Sequence, residues 1–141
     1  MAIRSHYLNG PAFGGLVGTA RGFGKFLQDQ LRQRSLLFSD TTRHLFYAQQ
    51  RLAHGLPIAM TLGWHIGDRD DGPFFYKEGG GGGFHSMMRL YRGERDGIGT
   101  VVMTNATGFD VKDLLDTIDP WFVPVTGPTR LSSGRAVAGR A

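Results

Sequence analysis

The sequence has no cysteine among its 141 residues. A disulfide framework and thiolate chemistry are therefore excluded. No apolar run approaches the roughly 20 residues that a membrane-spanning helix needs, and residues 1–6 lack the apolar core of a signal peptide. We therefore expect no membrane association, and a cytoplasmic location if the chain is expressed as it stands, while the compartment of any longer parent protein is left open.

Acidic residues are missing from the C-terminal part of the chain. None follows Asp119, whereas Arg130, Arg135 and Arg140 do, and subtracting these three from the 16 basic residues leaves 13 against 12 acidic ones. The formal net charge of +4 is thus mainly a property of residues 123–141, which we interpret as a flexible basic tail. A folded basic face for nucleic acid is not indicated, so we expect no nucleic-acid partner. Binding of nucleic acid by the tail is the weakest of the alternatives.

Complete motifs for nucleophilic catalysis or metal binding are also missing. No serine has a lysine three positions later, and the Gly-x-Ser-x-Gly motif is absent. The five histidines form no metal-binding pair, and the acids within 68–71 lack the spacing of a calcium loop, so we interpret these acids as a solvated turn. We expect no metal and no cofactor. His65 and His85 could meet across a sheet, and we interpret both as structural.

Helical periodicity and capping residues predict three helices. Thr19 begins the first helix, which runs to about residue 33, and Ser39 begins the second, which ends near 55–57. Asp110 begins the third, the clearest amphipathic helix. Its predicted apolar stripe comprises Val111, Leu114, Leu115, Ile118 and Phe122.

Alternating patterns predict four strands, over residues 61–66, 74–77, 84–92 and 98–104. In the third of these, Phe84, Ser86, Met88 and Leu90 share one face. The short turns between strands favour an antiparallel meander. Residues 1–122 therefore predict a single α+β domain, an antiparallel sheet covered by helices.

Five consecutive glycines, residues 79–83, lie between two of the predicted strands and follow Lys77. Dinucleotide-binding glycines are followed by a helix, whereas these lead into a strand, and the P-loop motif is absent, so nucleotide binding is disfavoured. Two interpretations remain. The run is either a flexible hairpin link or a place where the backbone approaches another molecule closely.

The segment from Lys77 to Ser86 resembles the third active-site segment of the serine β-lactamase and penicillin-binding-protein superfamily, in particular its class C β-lactamase and family VIII esterase branch. That segment reads Lys or His, Thr or Ser, Gly, then small residues and Gly-Gly-Phe. Residues 12–20, 62–64 and 98–105 resemble three other stretches of the family in the same order. The resemblance spans about residues 11 to 119.

The resemblance implies roles for the residues around the glycine run. Lys77 would supply positive charge near the substrate, Gly79 would keep the cleft wall free of a side chain, and the Gly80 N–H would form half of the oxyanion hole. Glu78 and Gly81 would line the substrate site. Because Glu78 stands where the family has Thr or Ser, it would repel a substrate carboxylate, and an ester substrate would be less affected.

The family's Ser-x-x-Lys nucleophile motif has no counterpart in this chain. Tyr7-Leu8-Asn9 matches a family tripeptide but lies too near the Gly14 segment, and we interpret it as coincidence. We therefore expect a partial β-lactamase-like fold that lacks the nucleophile-bearing helical subdomain. Such a C-terminal fragment would be inactive alone, or would act on a small ester or amide when completed by an N-terminal portion. The alternative is a non-catalytic interaction domain, which includes a homo-oligomer.

Overall fold

A computed structural model describes residue 14 and residues 16–69, 72–93 and 97–123. Five predicted features lie wholly or partly outside these residues: the tripeptide at 7–9, part of the family-like stretch at 12–20, part of the acidic turn at 68–71, part of the turn at 93–97 and the tail from residue 124 onward. The packed part of the chain includes Val123, the first residue of the predicted tail, which is buried against Phe74 and Tyr91.

Within the described residues the chain forms three α-helices and one four-stranded antiparallel sheet, which confirms the predicted α+β class. The helices are α1 (Ala20–Leu31), α2 (Asp40–Tyr47) and α3 (Val111–Ile118), the last followed by a 3₁₀ turn at Asp119–Trp121. The strands are β1 (His65–Gly67), β2 (Phe74–Gly81), β3 (Phe84–Tyr91) and β4 (Ile98–Thr104), paired in the order β1-β2-β3-β4.

All three predicted helix caps are confirmed. The Thr19 and Ser39 hydroxyls each accept a hydrogen bond from a backbone N–H three residues later, at 3.1 Å in both cases. The Asp110 carboxylate accepts from the Asp113 N–H at 2.9 Å. Each cap satisfies a backbone donor that has no partner within the first turn, which fixes where the helix begins.

The predicted end of the second helix is wrong, because α2 stops at Tyr47. Beyond it the backbone forms a bridged loop instead, in which the Gln50 N–H donates to the Met60 carbonyl at 2.8 Å and the Ile58 N–H donates to the Gln50 carbonyl at 3.0 Å. The helical periodicity continues past Tyr47, but these loop contacts satisfy the same backbone groups.

Two other boundaries also differ from the prediction. The strand expected over 61–66 begins only at His65, because the Thr61 hydroxyl accepts from the Trp64 N–H at 3.1 Å and holds a turn. Phe122 does not extend the buried stripe of α3, since the helix ends at Ile118 and the Phe122 side chain is 65% exposed.

The sheet is covered on both faces. On one face α1 packs Leu27 against Leu90 and Trp64. A Cβ atom on Gly99 would lie 2.9 Å from Leu27 Cβ, so glycine is what lets α1 lie this close to β4. On the other face α3 buries Val111 and Leu115 against Met87, among other residues.

Candidate active site at the glycine-rich strand

The first three glycines of the run belong to β2, which extends further than the strand predicted over 74–77. Gly79 pairs with Ser86, and Gly81 pairs with Phe84. Gly82 and Gly83 form the turn between β2 and β3, and Gly83 has a φ of +94°, a conformation that glycine adopts without a steric cost. The run is therefore a strand end and a tight turn rather than a link without regular structure.

Thr107, in the loop after β4, holds this hairpin from the side. Its hydroxyl accepts from the Gly83 N–H at 2.7 Å and donates to the Gly81 carbonyl at 3.0 Å. The two bonds occupy one donor and one acceptor of the turn. Thr107 thus holds the backbone of the turn in place, although the turn glycines have no side chains that could pack.

The outer edge of β2 is open beside the glycines. β1 pairs only with the first three residues of β2, up to Tyr76, and no other strand within the described residues covers positions 77–81. In an antiparallel pair, successive residues direct their N–H and C=O groups alternately toward and away from the neighbouring strand. Counting along β2 from Gly81, which pairs with Phe84 beside the turn, the backbone N–H and C=O groups of Gly79 face β3. The N–H of Gly80 therefore faces the open edge.

Lys77 and Glu78 lie on opposite faces of the sheet. Lys77 is paired with Met88, which packs in the α1 core, and Glu78 is paired with Met87, which packs against α3. Paired residues in adjacent strands project to the same side. The Lys77 ammonium therefore lies on the α1 side, where it is exposed and has no hydrogen-bond or ion-pair partner among the described residues.

An apolar groove of about 440 Å³ lies on the α1 side of the sheet. Lys77 is the only charged residue among the described residues that line it. The other lining residues are Leu16, Val17, Gly18, Gly22, Phe23, Phe26, Phe46, Gly63, Trp64 and Met88. Such a groove suits an apolar group that carries one polar or charged end.

A smaller cavity of about 200 Å³ adjoins this groove and shares Lys77 with it. Gly79, Glu78 and Ser86 also line the smaller cavity. The Ser86 hydroxyl donates to the Gly79 carbonyl at 3.2 Å, and a Cβ atom on Gly79 would lie 3.2 Å from that hydroxyl. A side chain at position 79 would therefore occupy the space that a ligand beside Lys77 would use.

Glu78 is engaged by His85. The His85 Nε2 atom lies 2.6 Å from the Glu78 carboxylate, and its Nδ1 atom lies 2.8 Å from the Phe109 carbonyl. Both partners are acceptors, so both ring nitrogens donate only in the imidazolium form. The hydrogen bond to Glu78, followed by that to Phe109, raises the pKa of His85 above its usual value.

His65 and His85 do not meet across the sheet, so that possibility is wrong. His65 pairs with Tyr76 and stacks on its ring at 5.0 Å between centroids, whereas His85 pairs with Gly80 and Thr104. β1 and β3 are separated by β2, and the two histidines lie at different heights along it.

A family model described as Beta-lactamase matches residues 3–119. The chain belongs to the beta-lactamase family. The match includes all four strands, the glycine run and α3, and it confirms the resemblance inferred from the four sequence stretches. The comparisons with curated proteins and with solved structures find no match.

The acidic and imidazole side chains of this beta-lactamase-family chain are dispersed over the described residues. In that part of the chain, no group of three or more His, Asp or Glu side chains is placed to hold a metal ion. None of the helices that the structure describes is long and apolar enough to cross a membrane.

Sequence reasoning missed a buried charge network on the α3 side of this beta-lactamase-family sheet. The Arg89 side chain is 1% exposed and forms ion pairs with Asp119 at 3.1 Å and with Asp116 at 2.8 Å. Tyr91 and Thr100 each donate to the Asp119 carboxylate at 2.9 Å. The network fixes α3 and the following turn on the sheet. An arginine among the core-facing positions of β3 was the available signal.

Proposed function

We propose that this chain is the C-terminal part of a serine hydrolase that cleaves an ester or amide through an acyl-serine intermediate. The observation that carries the proposal is the edge of β2 that no described strand covers, where the outward N–H of Gly80 and the Lys77 ammonium, which has no partner among the described residues, lie beside an apolar groove. The serine nucleophile would come from an N-terminal portion that carries the Ser-x-x-Lys motif.

In the proposed reaction, the serine Oγ of that portion attacks the substrate carbonyl carbon, and the carbonyl oxygen becomes an oxyanion. The Gly80 N–H would donate to this oxyanion, and one such donor is worth about 3 kcal/mol in the transition state. The bond from the carbonyl carbon to the leaving group then breaks, and the leaving group takes up the serine proton and departs as an alcohol or amine to give the acyl-serine. Water hydrolyses this ester to the free acid and restores the serine hydroxyl. Lys77 would stabilise the negative charge that develops in both steps.

The substrate class follows from the lining of the groove. An apolar acyl or alkyl group would bury its surface against the aromatic and aliphatic side chains beside Lys77. Glu78 stands at the position where the family has Thr or Ser, and its carboxylate is held by His85 rather than by a substrate. We therefore propose an apolar ester as the substrate on the ground of the apolar lining of the groove, since the Glu78 side chain lies on the opposite face of the sheet and is directed away from a ligand beside Lys77.

The first experiment uses the purified chain. We expect no hydrolysis of a chromogenic nitrophenyl ester or of a chromogenic cephalosporin, and no labelling by a fluorophosphonate. Labelling or turnover that depends on one of this chain's own serines would overturn the proposal.

The second experiment asks whether a nucleophile can be supplied. The coding sequence upstream is read for a Ser-x-x-Lys motif, and the polypeptide that carries it is co-expressed with this chain. We expect ester hydrolysis that is lost in Lys77→Ala and retained in Lys25→Ala, which removes an exposed lysine of α1 that does not line the groove. Activity that survives Lys77→Ala would contradict the assigned role.

A non-catalytic, self-associating domain is the second candidate. It is favoured by the exposed apolar side chains near the groove, in particular Leu16 at 81%, Val17 at 93% and Leu62 at 64% exposure. Exposed apolar patches commonly mark association surfaces. Sedimentation of the purified chain separates the candidates, because a clean monomer at all concentrations argues against self-association.

A further inference from the structure

Three arginines from separate elements surround one cavity of about 280 Å³, beyond the C-terminal end of α1. Arg32 directly follows α1, Arg43 lies on α2 and Arg92 directly follows β3. The remaining described lining residues are Leu31, Gln33 and Gly93, so no carboxylate lines the cavity among the residues that the structure describes. None of the described residues that line this cavity also lines the groove beside Lys77.

Arg43 is oriented by the end of α1. Its guanidinium donates to the carbonyls of Gln30 at 2.7 Å, Arg32 at 2.5 Å and Gln33 at 3.0 Å. These carbonyls carry the negative end of the helix dipole, which would otherwise repel an anion. The Nε atom of Arg43 is buried and has no hydrogen-bond partner among the described residues.

Arg92 has no anionic partner among the residues that the structure describes. Its guanidinium stacks over the Tyr47 ring at 4.1 Å from the centroid, and within the described residues it forms no ion pair or hydrogen bond. Partial burial, followed by the nearby charge of Arg43, lowers the pKa of Arg92. Two cations are thus held close together, and no carboxylate of the described residues pairs with Arg92.

We infer that this cavity binds a phosphate-type oxyanion, either inorganic phosphate or the phosphate group of a small monoester. Planar guanidinium groups match the oxygens of such an anion and donate to them in pairs. A dianion would offset the repulsion between Arg43 and Arg92. A neighbouring cavity shares these two arginines but also includes Asp40, so the anion is assigned to the first cavity, whose described lining contains no carboxylate.

The test is thermal unfolding of the whole chain, with calorimetric titration to obtain the Kd. Inorganic phosphate is expected to raise the unfolding temperature, since a ligand that binds only the folded state stabilises it. Sodium chloride at the same ionic strength is the control, and an equal effect of chloride would overturn the inference. Phenyl phosphate in a parallel titration distinguishes the sources: tighter binding than phosphate assigns an organic monoester, and weaker binding assigns the free ion. Failure of both to bind overturns the inference.

Three single substitutions locate the site. Arg92→Gln is expected to weaken phosphate binding by about tenfold or more, and Arg32→Gln, at an exposed position, by about two- to fivefold. Arg34→Gln is the matched control, because Arg34 is also exposed in the same loop but does not line the cavity. If Arg34→Gln weakened phosphate binding as much as Arg92→Gln, the binding would reflect general charge attraction, and the assignment to this cavity would be overturned.

The choice of variants keeps the test valid even if one of the substituted proteins does not fold. Arg32 makes no hydrogen bond or ion pair through its side chain among the described residues, so Arg32→Gln is expected to fold even if Arg92→Gln does not. Arg92→Lys keeps the charge and removes the paired donors, and it should bind phosphate more weakly than the unmodified chain. Unchanged affinity in both of these variants would exclude the proposed geometry. None of these measurements depends on hydrolytic activity.

Discussion

The His85 Nε2 atom lies 2.6 Å from the Glu78 carboxylate, across the antiparallel pair of β2 and β3. The contact joins Glu78, where the resemblance implies Thr or Ser, to a histidine on the neighbouring strand. The same imidazole also contacts the Phe109 carbonyl. Only its protonated form can donate a hydrogen bond to both acceptors at once. The pair therefore keeps the acidic side chain on the α3 side, away from Lys77.

The raised pKa of His85 predicts a pH-dependent contribution to stability. A histidine whose pKa is higher in the folded state stabilises the fold fully below its unfolded pKa, about 6.5, and loses that contribution as the pH rises through the folded value. NMR titration of the His85 ring should give a pKa above 6.5, and Glu78→Gln should lower it. The solvent-exposed His54 serves as the internal control. A His85 pKa that is unchanged in Glu78→Gln would contradict the pairing.

The direction of the Gly80 N–H predicts a contrast between two proline substitutions. Gly80→Pro removes an N–H at the open edge, so it should retain the fold but reduce hydrolysis in the completed enzyme by about 10²-fold or more. Gly79→Pro removes an N–H that faces β3 and should cost about 1–3 kcal/mol of unfolding free energy. Urea denaturation of the two variants measures the difference. A larger loss of stability in Gly80→Pro would reverse the assigned directions.

The turn glycines predict a second contrast. Gly83 has a positive φ, so Gly83→Ala is expected to destabilise by about 1–2 kcal/mol. A Cβ on Gly82 would meet no atom within 4 Å, and its φ is not positive, so Gly82→Ala should be neutral or stabilise by about 0.4–1 kcal/mol. Denaturant midpoints give both values, and equal effects would argue against the observed turn.

The buried network predicts a large effect of Arg89→Met. The substitution leaves the Asp119 carboxylate, which is 1% exposed, without its cationic partner, and such a loss costs about 3–5 kcal/mol. Lys112→Met is the comparison, because its pair with Asp116 is exposed and worth about 1 kcal/mol or less. Both unfolding free energies come from chemical denaturation. A mild effect of Arg89→Met would show that the network contributes little to docking α3.

Local signals were sufficient for much of this fold. The caps at Thr19, Ser39 and Asp110 depend on residues within three positions, so the sequence predicts them correctly. The faces of β3 follow from strict alternation. The family could be inferred because short motifs kept their order along the chain, and the match over residues 3–119 confirms it.

What the sequence did not reveal depends on distant contacts. β2 continues through Gly81 because β3 pairs with it and because Thr107 binds the turn, although glycine disfavours strands locally. Arg89 meets Asp119, 30 residues later, only after α3 has docked. The site roles of Lys77 and Gly80 remain predictions, since they require a nucleophile to test them.

The edge of β2 at residues 77–81, which no strand within the described residues covers, also matters for aggregation. Free N–H and C=O groups along an extended strand are a template onto which another chain can add, and natural sheets guard such edges with charge. Lys77 and Glu78 place one charge on each face of this edge, whereas the glycines beyond them offer none. Charges at such positions disfavour the pairing of one sheet edge with another, so loss of both charges would leave this edge more open to aggregation.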